Sequence, residues 1–302
     1  MSVLVVGSLA LDSIETPFGK VTEGLGGSAV YFSIAASFFT DVNLVGVVGE
    51  DFPEEHIQFF QGRGINLNGL QKEKGKTFRW EGSYGYDLNE AHTLNTQLNV
   101  FEKFNPTIPD HYRRSEYVFL ANIDPELQLK VLNQVHRPKI IACDTMNFWI
   151  ENKLAALKET IKWVDILIIN EAEVRELAQE ANLVKAARSI LSLGPKSLII
   201  KQGNYGALMF TETSLFSAPA YLLEDTIDPT GAGDTFAGGF MGYLANSHNL
   251  HDGGLRRAII FGSVMASFVV EQISINRLRS LTFQEIENRY REFKKLTLFE
   301  DV

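Results

Sequence analysis

The amino-acid sequence predicts an α/β fold of three layers, in which a mostly parallel β-sheet lies between two layers of helices. Short apolar runs rich in Val, Ile and Leu recur along the 302 residues, with longer segments of helical pattern between them. Nearly continuous apolar strands are typical of a sheet that is covered on both faces. Strands that alternate with helices indicate crossover connections and therefore parallel pairing.

The apolar runs and the segments between them give the order of the elements. The candidate strands span residues 3–7, 43–48, 117–121, 139–143, 166–169, 198–201 and 207–210. The candidate helices span residues 28–39, 54–63, 125–135, 171–180, 183–193, 234–245, 253–270 and 283–294. The sequence contains no internal repeat and no long linker, so we expect one domain over residues 1–302.

Residues 76–104 have a different composition from the rest of the chain. They are rich in Thr, Tyr, Phe, Asn and Gly, and their pattern alternates with a period of two. This alternation predicts antiparallel strands that face polar surroundings and lie outside the main sheet. We expect residues 12–24 to join them in a second, smaller group of strands.

Composition and charge restrict the class of protein. An apolar content of 45% and a charged content of 22% are ordinary for a globular protein, and the net charge of −9 argues against a general nucleic-acid binder. Cys143 is the only cysteine, which excludes an intramolecular disulfide and fits a reducing cytoplasm. The first twelve residues lack the basic region of a signal peptide, and the charge-free runs are too short to span a bilayer. We therefore expect a cytoplasmic protein without a membrane segment.

Residues 225–240, DTIDPTGAGDTFAGGF, are the most informative run in the chain. An extended segment leads into a Gly-rich turn, Asp234 follows, and a helix begins there. Small residues let the backbone approach an anion, and free amides at a helix N-terminus point toward it. Asp234 lies where a general base is needed, although a Gly-rich turn can also precede a helix for packing reasons alone. The run indicates phosphoryl transfer to a hydroxyl.

Residues 228–239 match the form D-x-x-G-A-G-D-x-F without a gap. The run resembles the C-terminal signature of the ribokinase-like (PfkB) family of sugar and nucleoside kinases. The resemblance implies a ribokinase-like three-layer α/β/α fold, in which a small β-strand lid covers the substrate. It also implies that Asp234 is the catalytic base, that the amides of Gly231, Ala232 and Gly233 form an anion hole, and that ATP and Mg²⁺ are used.

The N-terminal region agrees with the same family. Asp12 follows the first strand, where α/β proteins hold ligands, and the resemblance makes it the anchor of substrate hydroxyls; a turn-forming Asp is the alternative. Gly26 and Gly27 resemble the family's Gly-Gly motif, which lets the substrate approach the backbone. Many members have Asn where this chain has Tyr31. Tyr31 could stack on a base or a sugar face, or simply pack.

Asn170 and Glu173 follow the apolar run 166–169 and resemble the family's N-x-x-E motif. In the family, this Asn and this acid help to hold Mg²⁺ beside the nucleotide phosphates. Mg²⁺ keeps several waters and needs few carboxylates, so the residue types suit the ion. An Asn cap with acids in the first helical turn would have the same pattern, and the two roles are compatible.

Further segments resemble the family's donor and cation sites. Lys201, Gly203 and Gly206 match the K-x-G-x-x-G loop that passes close to ATP, although any β-hairpin could use this pattern. By the same resemblance, Asp228 and the Thr230 carbonyl hold a monovalent cation such as K⁺ behind the anion hole. The sequence Asp144-Thr145-Met146-Asn147 follows the strand 139–143, at the position where relatives often have D-x-N, and it would border the phosphate site.

The acceptor remains open at this point. The family implies an ATP-dependent sugar kinase, which transfers the γ-phosphate of ATP to a hydroxymethyl group of a small carbohydrate. A nucleoside kinase of the adenosine type is the alternative, and Arg79 could also meet a phosphorylated sugar. The candidate partners of sugar hydroxyls are Asp12, Asn122, Asp124 and Glu126. The candidate aromatic contacts of a base are Tyr31, Phe78, Trp80, Tyr84 and Tyr86.

A protein that kept the fold but senses a small molecule without turnover belongs to a different class. The presence of Asp234, the Gly-Ala-Gly turn and the N-x-x-E acids argues against it. We also expect a homodimer through the lid strands.

Overall fold

Nine strands form the main sheet of the computed structural model, which describes residues 2–296 and residue 298. In sheet order they are β13 (Leu215–Ala218), β12 (Ala207–Thr211), β11 (Ser197–Lys201), β10 (Ile166–Asn170), β9 (Ile140–Cys143), β8 (Tyr117–Leu120), β1 (Ser2–Val6), β4 (Asp41–Gly49) and β5 (Ile65–Glu73). Neighbours from β11 to β5 pair in parallel, whereas β12 and β13 pair antiparallel at one edge. The expected mostly parallel sheet is confirmed.

Helices cover both faces of this sheet. In chain order they are α1 (Ser28–Ala36), α2 (Glu54–Gly62), α3 (Pro125–Leu132), α4 (Asn147–Asn152), α5 (Leu154–Ile161), α6 (Glu171–Ala178), α7 (Leu183–Leu191), α8 (Ala232–Ser247), α9 (Asp252–Val269), α10 (Asn276–Ser280) and α11 (Phe283–Leu296). Alternate residues of β1 enter different cores, since Val3 and Val5 belong to the core that includes α1, α8 and α9, whereas Leu4 and Val6 belong to the core that includes α5, α6 and α7. The three-layer fold is therefore confirmed, because apolar side chains leave both faces of one strand.

Four further strands form a small sheet, in the order β3 (Gly19–Gly26), β2 (Ala10–Thr16), β6 (Phe78–Tyr84) and β7 (Ala91–Gln97). The hairpins β2–β3 and β6–β7 are antiparallel, as expected, but β2 pairs with β6 in parallel. The expectation of purely antiparallel strands was therefore wrong at this pair. The strands β1 and β5 run in the same direction in the main sheet. Because β2 follows β1 and β6 follows β5, both strands of this pair begin at the carboxyl edge of the main sheet.

Every strand and helix predicted from the apolar runs is present in the structure, but the structure also contains several elements that were not predicted. β5 carries Asn, Gln, Lys and Glu at the exposed edge of the main sheet, so it lacks a continuous apolar run. β13 and α4 are short, and α5 and α10 lie in segments without a clear apolar period. Within the described residues, no helix is both long enough and apolar enough to cross a membrane.

Candidate active site

The Gly-rich turn of residues 230–234 lies at the start of α8, at the carboxyl edge of the main sheet. Gly231 has a φ of 75°, and a Cβ atom there would lie 2.4 Å from the ring of Tyr31. Glycine is therefore required both by the backbone conformation and by the close approach of an aromatic ring. The first turn of α8 has amides without helical partners, although the amide of Ala232 donates to the Pro229 carbonyl at 3.1 Å.

Tyr31 lies in α1, and only 1% of its surface is exposed. Its ring packs directly beneath Gly231, so it supports the turn. Of the two roles open to this aromatic residue, packing is confirmed. Tyr31, which stands where many family members have Asn, therefore packs against the turn and helps to hold its shape.

Asp234 follows the turn and keeps a small opening to solvent. Burial, together with the negative charge of Asp144, raises the pKa of Asp234 to about 7, while the positive charge of Lys201 acts in the opposite direction. A carboxylate with a pKa near neutrality can both take and release a proton in the physiological range. The geometry therefore suits the predicted general base.

Lys201 is the positive charge at the centre of this group. Its Nζ atom donates to Asp144 Oδ2 at 3.0 Å, and a Cβ atom at Gly233 would lie 3.0 Å from Nζ. Burial opposes the charge on Lys201, but Asp144, Glu173 and Asp234 outweigh it and raise the pKa of the ammonium group. One lysine thus faces three carboxylates beside the Gly-rich turn.

Asp12 lies within β2 of the small sheet, so it is not the turn-forming Asp that was the alternative interpretation. Its carboxylate fits against Gly26, where a Cβ atom would lie 1.9 Å from Oδ2, and it accepts a hydrogen bond from the Gly27 amide. Asp12 Oδ1 is buried and has no hydrogen-bond partner among the described residues. Burial, together with the charges of Asp228 and Asp234, raises the pKa of Asp12 to about 7, while the Gly27 bond lowers it. A buried oxygen without a partner fits a ligand hydroxyl.

Asn170 and Glu173 form a capping box at the start of α6. Asn170 Oδ1 accepts from the Glu173 amide at 2.8 Å, and Glu173 Oε2 accepts from the Asn170 amide at 2.7 Å. Burial raises the pKa of Glu173, and the charge of Lys201 opposes this shift. The capping role is confirmed, and the second carboxylate oxygen of Glu173 is not used in the box.

A cavity of about 540 Å³ lies beside the Lys201–Gly206 loop. Lys201 and Gly233 line it together with residues 86–89, with the segment 220–223, and with Ser263, Ala266 and Ser267 of α9. Gly203 and Gly206 have φ angles of 57° and 109°, so the loop requires glycine at both positions. A cavity that combines a lysine with apolar and polar side chains suits a nucleotide.

Asp228 ties the Gly-rich turn to the segment after α9. Its Oδ1 accepts from the Thr230 amide at 2.9 Å and its Oδ2 from the Ser274 amide at 2.7 Å. Thr230 Oγ1 donates to the hydroxyl of Tyr84 at 3.2 Å, which connects the turn to the small sheet. Of the two residues predicted to hold a monovalent cation, Thr230 therefore belongs to the turn and Asp228 bonds to it.

Several candidate partners of the acceptor are already engaged. Asn122 Oδ1 accepts from Trp149 Nε1 at 2.9 Å. Asp124 and Glu126 share an ion pair with Lys153. Arg79 pairs with Glu23 and Asp51, at 2.7 and 2.8 Å. Each of these side chains therefore already has a partner within the protein.

Sequence reasoning underestimated two features of the site. Asp144 was expected only to border the phosphate site, yet it pairs with Lys201 in the charged group. In the connection between β6 and β7, only Tyr86 was considered, as a contact of a base, yet residues 86–89 line the same cavity as Lys201 and Gly203. A carboxylate directly after a buried strand was the available signal for Asp144, whereas the sequence carried no signal that the connection would reach this cavity.

The fold and the site together define a class of protein. The family model for pfkB family carbohydrate kinases matches residues 2–279, so the chain belongs to this family. Its members and structural neighbours are sugar and nucleoside kinases, and the protein is an ATP-dependent phosphotransferase with an alcohol group as acceptor. The resemblance inferred from residues 228–239 is confirmed.

The chain is similar to several individual kinases. It is 29% identical over 259 residues to the cytidine kinase of Thermococcus kodakarensis, and the alignment covers 83% of this chain and 91% of that protein. The nucleoside kinase structure of Burkholderia thailandensis, in complex with inosine, superposes with a TM-score of 0.79 at 19% identity and covers 96% of this chain and 98% of that one. An Escherichia coli protein assigned as a ribokinase II, in complex with ATP and Mg²⁺, has a TM-score of 0.79 at 18% identity and covers 96% and 99%. At these identities the structural likenesses show the fold.

Proposed function

We propose that the protein transfers the γ-phosphate of ATP to a primary hydroxyl of a nucleoside. The carrying observation is an aromatic platform beside Asp12. Trp80 lies in register with Asp12 on neighbouring strands, so both side chains leave the same face of the small sheet. The ring of Trp80 lies over Gly82, where a Cβ atom would be 2.2 Å from it, and its Nε1 donates to Thr93 at 3.2 Å. An aromatic ring on the sheet face that also carries the hydroxyl anchor suits a base attached to a ribose.

The other acceptors have less support from the side chains. A sugar phosphate would need a free cation, but Arg79 is paired with Glu23 and Asp51. A free pentose is the second candidate, because it offers Asp12 the same pair of hydroxyls as the ribose of a nucleoside. The relative named as a cytidine kinase supports the nucleoside, since it matches most of both chains.

The proposed reaction uses Asp234 as the base. The acceptor lies between Asp12 and Asp234, whose charges already influence each other. Asp234 takes the hydroxyl proton as the acceptor oxygen bonds to the γ-phosphorus, and the bond from that phosphorus to the β-phosphate oxygen breaks to release ADP. The amides of Gly231, Ala232 and Gly233, with the ammonium group of Lys201, would stabilise the charge on the transferred group.

The cavity beside the Lys201–Gly206 loop is the proposed donor site, and Asn170 and Glu173 would hold Mg²⁺ beside it. The residues fit the ion, because Asp144, Glu173 and Asp234 are balanced by a single lysine. Mg²⁺ would neutralise the negative charge of the donor phosphates. Asp228 and the Thr230 carbonyl would hold K⁺ and thereby stabilise the turn.

The further proposals concern the whole molecule. We infer that residues 1–302 act as one kinase domain, and that the small sheet, within about residues 12–24 and 76–104, is its lid. Every residue of β7 is exposed, including Leu94, which supports contact between two copies through the lid strands. Cys143 is buried and free, which supports the expected cytoplasmic location.

The acceptor is tested with a coupled assay of ADP formation. Cytidine, uridine, adenosine, inosine, ribose and fructose are compared at equal concentrations, with Trp80→Ala and Trp80→Phe as variants. We expect a nucleoside to have the highest kcat/KM, and we expect Trp80→Ala to lower it by about 5- to 150-fold, because base stacking contributes about 1 to 3 kcal/mol. Trp80→Phe should keep most of the activity. A free pentose as the best acceptor, with no response to Trp80→Ala, would contradict the proposal.

A further inference from the structure

The small sheet extends from the acceptor side of the site to the cavity proposed as the donor site. The hairpin β6–β7 turns through residues 85–90, and we call residues 86–89 the hairpin tip. The tip residues Tyr86, Asp87, Leu88 and Asn89 line the same cavity as Lys201, Gly203 and Gly233. The strand that carries Trp80 beside Asp12 thus continues into a segment that faces the proposed donor site.

The contact between the hairpin tip and the donor loop is close. Asn89 Oδ1 lies 2.3 Å from the position that a Cβ atom would take at Gly203. The missing side chain of Gly203 therefore provides the space that the tip occupies. Gly203 is two residues after Lys201, whose ammonium group lies beside the Gly-rich turn, so the tip faces the phosphate end of the cavity.

The tip is organised before any ligand binds. Asp87 Oδ1 accepts from the amide of Asn89 at 3.1 Å and from its side-chain nitrogen at 3.0 Å. This turn holds the Asn89 side chain in place and reduces the entropy lost when it meets a partner. At the other end of the connection, Tyr84 is anchored to Thr230. The connection is therefore anchored to the Gly-rich turn at Tyr84 and held by internal hydrogen bonds at Asp87 and Asn89.

We propose that the hairpin tip is a wall of the donor site, with Asn89 contacting the phosphate and ribose part of the nucleoside triphosphate. The small sheet then contacts both substrates, through Asp12 on the acceptor side and through the tip on the donor side. Donor binding alone would shield the preformed tip from solvent and exclude water from the phosphates. The inference rests on the donor placement proposed above and holds for either acceptor.

The test is hydrogen exchange of the intact protein with a non-hydrolysable ATP analogue and Mg²⁺, without an acceptor. We expect slower exchange in peptides that cover residues 84–91 and residues 201–206, with residues 54–62 of α2 as the unaffected reference. Protection of the loop without protection of the tip overturns this inference and leaves the donor site in place. Protection of neither segment overturns the donor placement, and this inference with it.

Two variants give an independent measurement of affinity. Asn89→Ala should raise the Kd of the analogue by about 5- to 30-fold, because a placed polar contact is lost. Glu90→Ala, at an exposed neighbour outside the cavity lining, is the matched control and should leave the Kd unchanged. Equal affinity of Asn89→Ala and the wild type overturns the inference. Thermal melting shows whether both variants keep the fold. If a variant does not fold, the exchange experiment on the wild type still tests the inference.

Discussion

Replacing Asp234 by Asn should separate the catalytic role of this carboxylate from its effect on stability. Burial and the charge of Asp144 raise the pKa of Asp234 from its ordinary value of 3.8 to about 7, against the opposing effect of Lys201. Between these values, the folded protein holds a proton that the unfolded chain has released. The free energy of unfolding therefore falls as the pH rises from about 4 to about 7. Asn has no proton to lose, so the variant should escape this loss.

The size of the effect follows from the shift. One pKa unit corresponds to about 1.4 kcal/mol, so the interval from pH 5 to pH 7 gives an upper limit of about 2.7 kcal/mol. Asp234 keeps a small opening to solvent, which screens its charge, and we expect about 1 to 2 kcal/mol. From pH 5 to pH 7, the free energy of unfolding of Asp234→Asn should therefore rise by this amount relative to that of the wild type. Its kcat should fall by about 10² to 10⁴, because the general base is lost.

Urea denaturation at pH 5 and pH 7 measures the stability of both proteins, and ADP formation measures kcat. The effects of Asp12 and Glu173, which are present in both proteins, largely cancel in the difference. Asp225→Asn, at an exposed position outside the cavity lining, is the matched control and should change neither quantity. A wild-type kcat for Asp234→Asn would exclude it as the base. A stability difference that is the same at both pH values would refute the argument from burial.

The remaining predictions use the same site. The kcat/KM of the wild type should rise with pH up to about 7 and then level off, since Asp234 must be ionised; a profile that falls over this range would exclude a carboxylate base. Asp12→Asn should raise the KM for the acceptor by about 10- to 150-fold and change the KM for ATP little, because charge-assisted bonds contribute about 1.5 to 3 kcal/mol, and equal changes in both would make Asp12 structural. Gly231→Ala should cost at least about 2 kcal/mol in chemical denaturation because of its φ and the Tyr31 ring, whereas Gly62→Ala, with open space around it, should be neutral or stabilising. Excess EDTA should abolish ADP formation and K⁺ should raise it; full activity in EDTA would remove Mg²⁺ from the mechanism.

Local patterns in the chain were enough for most of the fold. The apolar runs gave the buried strands, because a strand covered on both faces needs apolar residues at nearly every position. They failed at β5, which lies at the edge of the main sheet and carries polar residues there. The parallel pairing of β2 and β6 was also missed. The direction of each strand in the small sheet depends on which edge of the main sheet the preceding strand ends at, and the local sequence does not show this.

The residues of the Gly-rich turn and the capping box were found from the sequence because their chemistry is local. Gly231 and Asp234 are three positions apart, and Asn170 and Glu173 bond each other across one helical turn. Backbone conformation and capping depend on neighbours along the chain, which a sequence displays directly. The sequence by itself therefore determined the class of chemistry.

The tertiary structure decided which residues surround that chemistry. Lys201 and Asp144 are 57 positions apart, and Tyr84 and Thr230 are 146 positions apart, yet each pair is in contact. The same structure pairs Arg79 with two acids, so its charge is already compensated within the protein. These outcomes depend on the order of strands in the two sheets and on competition between partners for each polar group. No spacing in the sequence encodes them, because contact between distant segments is settled only when the sheets assemble.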